Sequence, residues 1–84
     1  SNMPTVELTE EQIAESGLRM TDLLVLAKLA SSKSDARRLI EGGGVFAGDE
    51  KVADVKAALP AEKLDGDGII LRKGKKGFCK VRRA

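Results

Sequence analysis

Hydrophobic and polar positions alternate along the first residues and then switch to helical spacing. Val6 and Leu8 alternate with polar neighbours, which predicts a short edge strand. Thr9-Glu10-Glu11-Gln12 resembles a capping box that opens a helical turn through Ala14, and Gly17 ends it. From residue 23 to 30 the chain is apolar on nearly all sides, with Lys28 its only cation, so this first full helix must be mostly buried. Thr21 is its expected N-cap, with Asp22 in the first turn where the helix dipole favours an acid. The second helix is specified at both ends: Ser32 caps it, Asp35 is the capping-box partner, and Gly42-Gly43-Gly44 stops it. Ala36, Leu39 and Ile40 fall at i, i+3, i+4 and define the core face. Lys33 and Arg37, four apart, flank that face together, and Arg38 points furthest into solvent.

After the glycines the period changes to two. Val45-Phe46-Ala47 and Glu50-Lys51-Val52 bracket Gly48-Asp49, and a glycine first in a two-residue loop predicts a type II′ hairpin in which Val45 faces Val52 and Phe46 faces Lys51. Residues 55–64 contain Pro60 and read as a loop with at most a turn of helix. Ile69-Ile70-Leu71 reads as a buried strand, and Gly74-Lys75-Lys76-Gly77 turns the chain back into Phe78-Cys79-Lys80-Val81. The expected fold class is α+β, with two packed helices against a small, mainly antiparallel sheet. There is no internal repeat and no low-complexity tract.

Composition narrows this further. With 84 residues, one small domain is the ceiling. Residues 1–3 read as a tag-derived start and residues 4–84 as the domain, a piece of a longer protein. Hydrophobic residues make up 42% but the only aromatics are two phenylalanines, so the core must be aliphatic and thin. Cys79 is the only cysteine and histidine is absent, which removes disulfides and the usual zinc ligands and suits a reducing, cytoplasmic setting. No stretch reaches the length of a membrane span. The net charge of +2 hides a polarised distribution: between residues 6 and 17 every charge is acidic, and between 69 and 84 every charge is basic. One end should attract polyanions and the other should not.

Catalysis by this chain is excluded as a reading, because there is no histidine, Cys79 has no base beside it, and the serines sit in capping contexts. Asp65-Gly66-Asp67-Gly68 suggests a calcium loop, but twelve-residue spacing would put Lys76 where a bidentate Glu is needed, so a turn is the better reading and neither metal nor cofactor is expected. The second helix is more informative. Its N-terminus offers free N–H groups and positive dipole where Lys33, Ser34 and Arg37 also reach a phosphate; a well-capped helix with solvated cations is the plainer alternative. Arg72, Lys73, Lys75 and Lys76 form a second basic segment, which can also be gatekeeper charge on an edge hairpin. Two basic clusters in one small domain favour polyanion binding. Phe46, opposite Val45 and Val52, can stack on an unpaired base with Lys51 beside it, or can pack under the Ile69 strand. Many cations and little aromatic surface suit structured RNA, which is read through shape and phosphates.

The run Ser32-Lys33-Ser34-Asp35-Ala36-Arg37-Arg38-Leu39-Ile40, then Gly43-Gly44-Val45 and Gly48-Asp49-Glu50-Lys51-Val52, resembles the RNA-binding module named after small-subunit ribosomal protein S-four, also called the alpha-L motif. Residues 21–54 cover that helix–helix–hairpin unit without a gap. The flanks, Pro4-Thr5-Val6, Leu23-Leu24, Leu59-Pro60-Ala61 and the run from Ile69 to Phe78, are similar to the C-terminal domain of bacterial tyrosyl-tRNA synthetases. The resemblance implies an S-four-like fold, with RNA held by the second helix and the hairpin. It implies tyrosine tRNA as partner, gripped along the anticodon stem and long variable arm. A separate catalytic domain of the same parent chain, a tyrosine–tRNA ligase, would charge it. That enzyme's histidine-containing nucleotide signature cannot lie in a chain without histidine. Two departures stand out: Gly48-Asp49 replaces the usual Asn-Gly and puts an acid near the RNA, and Cys79 replaces a polar or aromatic residue. The same module in a pseudouridine synthase, a ribosome-associated heat-shock protein or a ribosomal protein is the nearest alternative. A protein-interaction or dimerisation module, using Phe46 and the first helix, is the alternative of a different class.

Overall fold

The computed structural model describes residues 4–74 and 77–84. Along the chain run β1 (Thr5–Leu8), α1 (Glu10–Ser16), α2 (Met20–Leu26), α3 (Lys33–Glu41), β2 (Val45–Ala47), β3 (Glu50–Lys51), a 3-10 turn (Ala61–Leu64), β4 (Ile69–Lys73) and β5 (Gly77–Arg83). The strands form one sheet in the order β1-β5-β4-β2-β3, antiparallel except where β1 lies parallel to β5. This is the expected α+β fold, with α2 and α3 as the packed pair and α1 as a third helix. Among the described residues no helix is long and apolar enough to cross a membrane.

Local chemistry accounts for most boundaries. Thr9 Oγ1 accepts from the Gln12 N–H at 3.1 Å while Gln12 Oε1 accepts from the Thr9 N–H at 3.0 Å, the capping box expected for α1. The helix runs past Ala14 to Ser16, because Ser16 is buried and its hydroxyl accepts the Leu18 N–H at 3.0 Å. Gly17, at φ +61°, then ends it.

Helix α2 departs from expectation at both ends. Thr21 is not its N-cap: Arg19 takes that position in an extended conformation without a side-chain cap, and Thr21 lies buried inside the helix. A tertiary bond does the work instead, since the Met20 N–H donates to the Ala57 carbonyl at 2.9 Å and the Met20 side chain is buried. The helix also stops at Leu26 rather than reaching Ala30. Lys28 adopts φ +62°, and the N–H groups of Leu29 and Ala30 both turn back to the Leu24 carbonyl. Leu29 and Ala30 are therefore buried as part of a tight turn, and apolar content alone could not tell that from helix.

In α3, Ser32 Oγ accepts the Asp35 N–H at 3.1 Å as expected, but the Asp35 carboxylate accepts from the Ser31 N–H at 3.0 Å, one residue before the cap. Ala36 and Ile40 are buried and Leu39 half-buried, facing α2 and the sheet. The hairpin has the predicted register, with Phe46 opposite Lys51 and the Val52 N–H donating to the Val45 carbonyl at 2.8 Å. Of the two loop residues only Gly48 has positive φ (+62°), the type II′ pattern.

The core joins Leu8, Val45, Leu71, Cys79 and Val81 of the sheet to Met20, Leu23, Leu24, Ala36 and Ile40 of the helices. Among the described residues only this face of the sheet is covered. Consequently Ile69-Ile70-Leu71 is not a fully buried strand: Leu71 is sealed, whereas Ile70 points to the other face and is 37% exposed. Gly68 enters β4 at φ +80°, where a Cβ would collide with the Val81 carbonyl oxygen, so the Asp65-Gly66-Asp67-Gly68 tract is shaped by a close backbone approach.

Candidate nucleic-acid interface

Helix α3 presents Lys33, Ser34, Arg37 and Arg38 to solvent, as its spacing predicts. They are not equivalent. Lys33 Nζ lies 3.0 Å from Asp22 Oδ1, and Arg19 Nε lies 3.0 Å from Asp22 Oδ2, so one carboxylate on α2 gathers two cations. Burial pushes the Asp22 carboxyl up, but Lys33 and Arg19 outweigh it and hold it below the ordinary carboxylate value. Asp35 brings a second carboxylate to the start of α3. The three-part anion site expected there is thus partly answered from within the protein. Arg37 and Arg38 have no acidic partner among the described residues. The unpaired positive charge of this helix sits one turn in from its start.

The second expected cluster is divided by the sheet. Adjacent strand residues point to opposite faces, so Lys73 lies on the helical side, where it lines a cleft with Lys28, Ser31 and Asp35. Arg72 lies on the opposite, uncovered face, its guanidinium carbon 4.2 Å from the centre of the Phe46 ring. Phe46 is therefore half-covered by Arg72 and does not pack under the Ile69 strand. Lys51 reaches back over Gly43: a Cβ on Gly43 would stand 3.0 Å from Lys51 Nζ, which places the ammonium beside the C-terminal end of α3, where the helix dipole favours a cation. Lys75 and Lys76 lie outside the described residues.

The charge polarisation of the sequence does not survive folding as two separate poles. Parallel pairing sets Glu7 beside Arg82 at 3.7 Å, and Arg83 reaches Glu10 at 2.7 Å and Asp65 at 3.3 Å. The acidic beginning neutralises the last two arginines, and both belong to the architecture. Sequence reasoning passed over Phe78 and Lys80, which share the uncovered face with Arg72; the alternation of Phe78, Lys80 and Arg82 with buried Cys79 and Val81 was the available signal.

Comparison with known proteins gives this surface its context. Residues 1–81 match the family described as tyrosine–tRNA ligase SYY-like C-terminal domain. The chain belongs to this family. It is 50% identical over 80 residues to the tyrosine–tRNA ligase of Treponema denticola, covering 94% of this chain and 20% of that protein. The corresponding figures are 41% identity for the ligase of Clostridium botulinum strain Loch Maree, over 95% of this chain and 19% of that protein. For the ligase of Treponema pallidum they are 45%, with 94% and 19%. The chain thus spans about a fifth of the length of these relatives.

Proposed function

We propose that this tyrosine–tRNA ligase C-terminal domain binds structured RNA through phosphates, with tyrosine tRNA as its partner. The charging chemistry would reside in a catalytic domain of the same cytoplasmic parent protein. The family match over residues 1–81 carries the reading. Arg37 and Arg38 form the centre of the proposed contact, since a planar guanidinium grips phosphate oxygens in pairs and neither is engaged by an acid among the described residues. Ser34, and Lys33 once it releases Asp22, contribute at the helix start, and Lys73 extends the surface past the turn at Lys28. A tRNA with a long variable arm presents two phosphate rows in a concavity, so it should bind more tightly and with a steeper salt dependence than a short-arm tRNA. Gel-shift titrations of both tRNAs at several salt concentrations test this. Equal affinities and slopes would leave general RNA binding standing and remove tyrosine tRNA as the partner; binding that is flat in salt would remove the phosphate mechanism.

A further inference from the structure

The face of the sheet opposite the helices has no cover among the described residues, and its side chains form an ordered pattern. Directly across β3, β2, β4 and β5 run Lys51, Phe46, Arg72 and Phe78, each paired in register with the next. A second row sets Ile70 beside Lys80 and Lys80 beside Thr5. Phe78 and Ile70 are the only exposed large hydrophobics among the described residues, each 37% exposed, and both are on this face. The one acid there is Glu7, which faces Arg82. Lys51, Arg72 and Lys80 have no acidic partner among the described residues. Arg72 is held by its stack on Phe46, and its Nε makes no hydrogen bond.

A purely protein-binding face would gather apolar residues at its centre and keep charge at the rim. Here cations and aromatic rings alternate through the centre. The flat surfaces of Phe78 and of the Phe46-backed guanidinium accept the π-faces of bases, while the Lys80 ammonium between β1 and β4 accepts phosphate, the combination by which open sheets take single strands. We propose that this open sheet face is a second RNA-binding surface, taking a short unpaired stretch of RNA whose bases stack on Phe78 and Arg72. The polymer class rests on the RNA-binding reading above; the face and the unpaired state of the ligand are new. Paired phosphates go to α3 and unpaired bases to the sheet, so one small domain reads two kinds of RNA structure at once.

Fluorescence anisotropy of the chain with labelled hexauridylate and with a labelled RNA duplex separates the two surfaces. Phe78→Ala should weaken hexauridylate binding about fivefold or more, the effect of losing one stacked base, and leave duplex binding unchanged. Arg72→Lys keeps the charge but loses the planar stack, and should weaken the single strand in the same direction. Arg37→Ala should do the reverse, weakening the duplex only. Circular dichroism checks that each variant is folded, which the exposure of Phe78 favours. Duplex binding without hexauridylate binding, or hexauridylate binding indifferent to Phe78 and Arg72, would overturn the inference and spare the α3 reading. Binding of neither RNA would overturn both. Sedimentation showing that Phe78→Ala abolishes self-association while RNA binding is untouched would assign the face to a protein partner instead.

Discussion

Asp22 controls how much of helix α3's charge is free, and its replacement by asparagine tests the α3 surface directly. Asn keeps the shape of the side chain but turns one of its two acceptor oxygens into a donor NH2 and removes the charge that holds Lys33 Nζ at 3.0 Å. Lys33 is already 63% exposed along its side chain, so once released it needs no refolding to reach a phosphate. One added phosphate contact steepens the dependence of log K on log salt by about 0.9, which near 0.1 M salt is on the order of 1 kcal/mol, or several-fold in affinity. Stability moves the other way. Asp22 also holds Arg19, and both cations are more than half exposed, so losing the two pairs should cost on the order of 1 kcal/mol after solvent screening. That cost depends on pH. Because the folded-state carboxyl titrates below its ordinary value, its contribution is fully present above about pH 4 and disappears as pH falls through the lowered value. Urea denaturation should therefore separate wild type from Asp22→Asn at pH 7 and bring them together in strong acid. Anisotropy across a salt series reads the affinity. A variant that is folded, less stable at pH 7, yet unchanged or weaker in RNA affinity with the same salt slope would show that Lys33 does not face RNA.

Three further outcomes follow from the geometry. Arg37→Ala should weaken tRNA binding several-fold, and Lys63→Ala, in the 3-10 turn away from α3, should change it little; equal losses with intact circular dichroism would move the interface elsewhere. Gly68→Ala should destabilise the fold by about 2–5 kcal/mol, combining a left-handed backbone with a backbone collision, whereas Gly17→Ala, also left-handed but in open space, should cost only about 1–2 kcal/mol; urea midpoints that coincide would refute the close approach to β5. Burial pushes the Cys79 thiol up and seals it, so an aromatic disulfide reagent should react at the rate of global unfolding and accelerate with urea; rapid reaction in native buffer would contradict the packing.

The legible parts of the sequence were those in which local chemistry and tertiary packing agree. The Thr9 capping box, the Ser32 cap, the Gly48-Asp49 hairpin and the i, i+3, i+4 face of Ala36, Leu39 and Ile40 all lie within a few residues of their causes, and each formed as read. The misreadings depended on distant partners. Thr21 was the better local cap, but Met20 is anchored through Ala57, thirty-seven positions on in the numbering. Ile70 matched its buried neighbours in type, and only a sheet covered on one face distinguishes it. The basic C-terminal run looked like one cluster because sequence order conceals the two-residue period that sends Arg72 and Lys73 to opposite faces. The pairing of Arg82 and Arg83 with Glu7, Glu10 and Asp65 required knowing that β1 and β5 are neighbours.

That neighbourhood also orders events during synthesis on the ribosome. β1 pairs with residues 80–83, almost the whole chain away, and the Lys80 N–H donates to the Pro4 carbonyl at 2.9 Å. The α2–α3–hairpin unit closes over short loops and can assemble as soon as its residues leave the exit tunnel. β1 must wait. Until β5 emerges, its edge and the acidic helix behind it remain unsatisfied in the nascent chain. A chain broken off before residue 80 would keep its helix pair and β2–β3 hairpin but leave no partner residues for β1 to join.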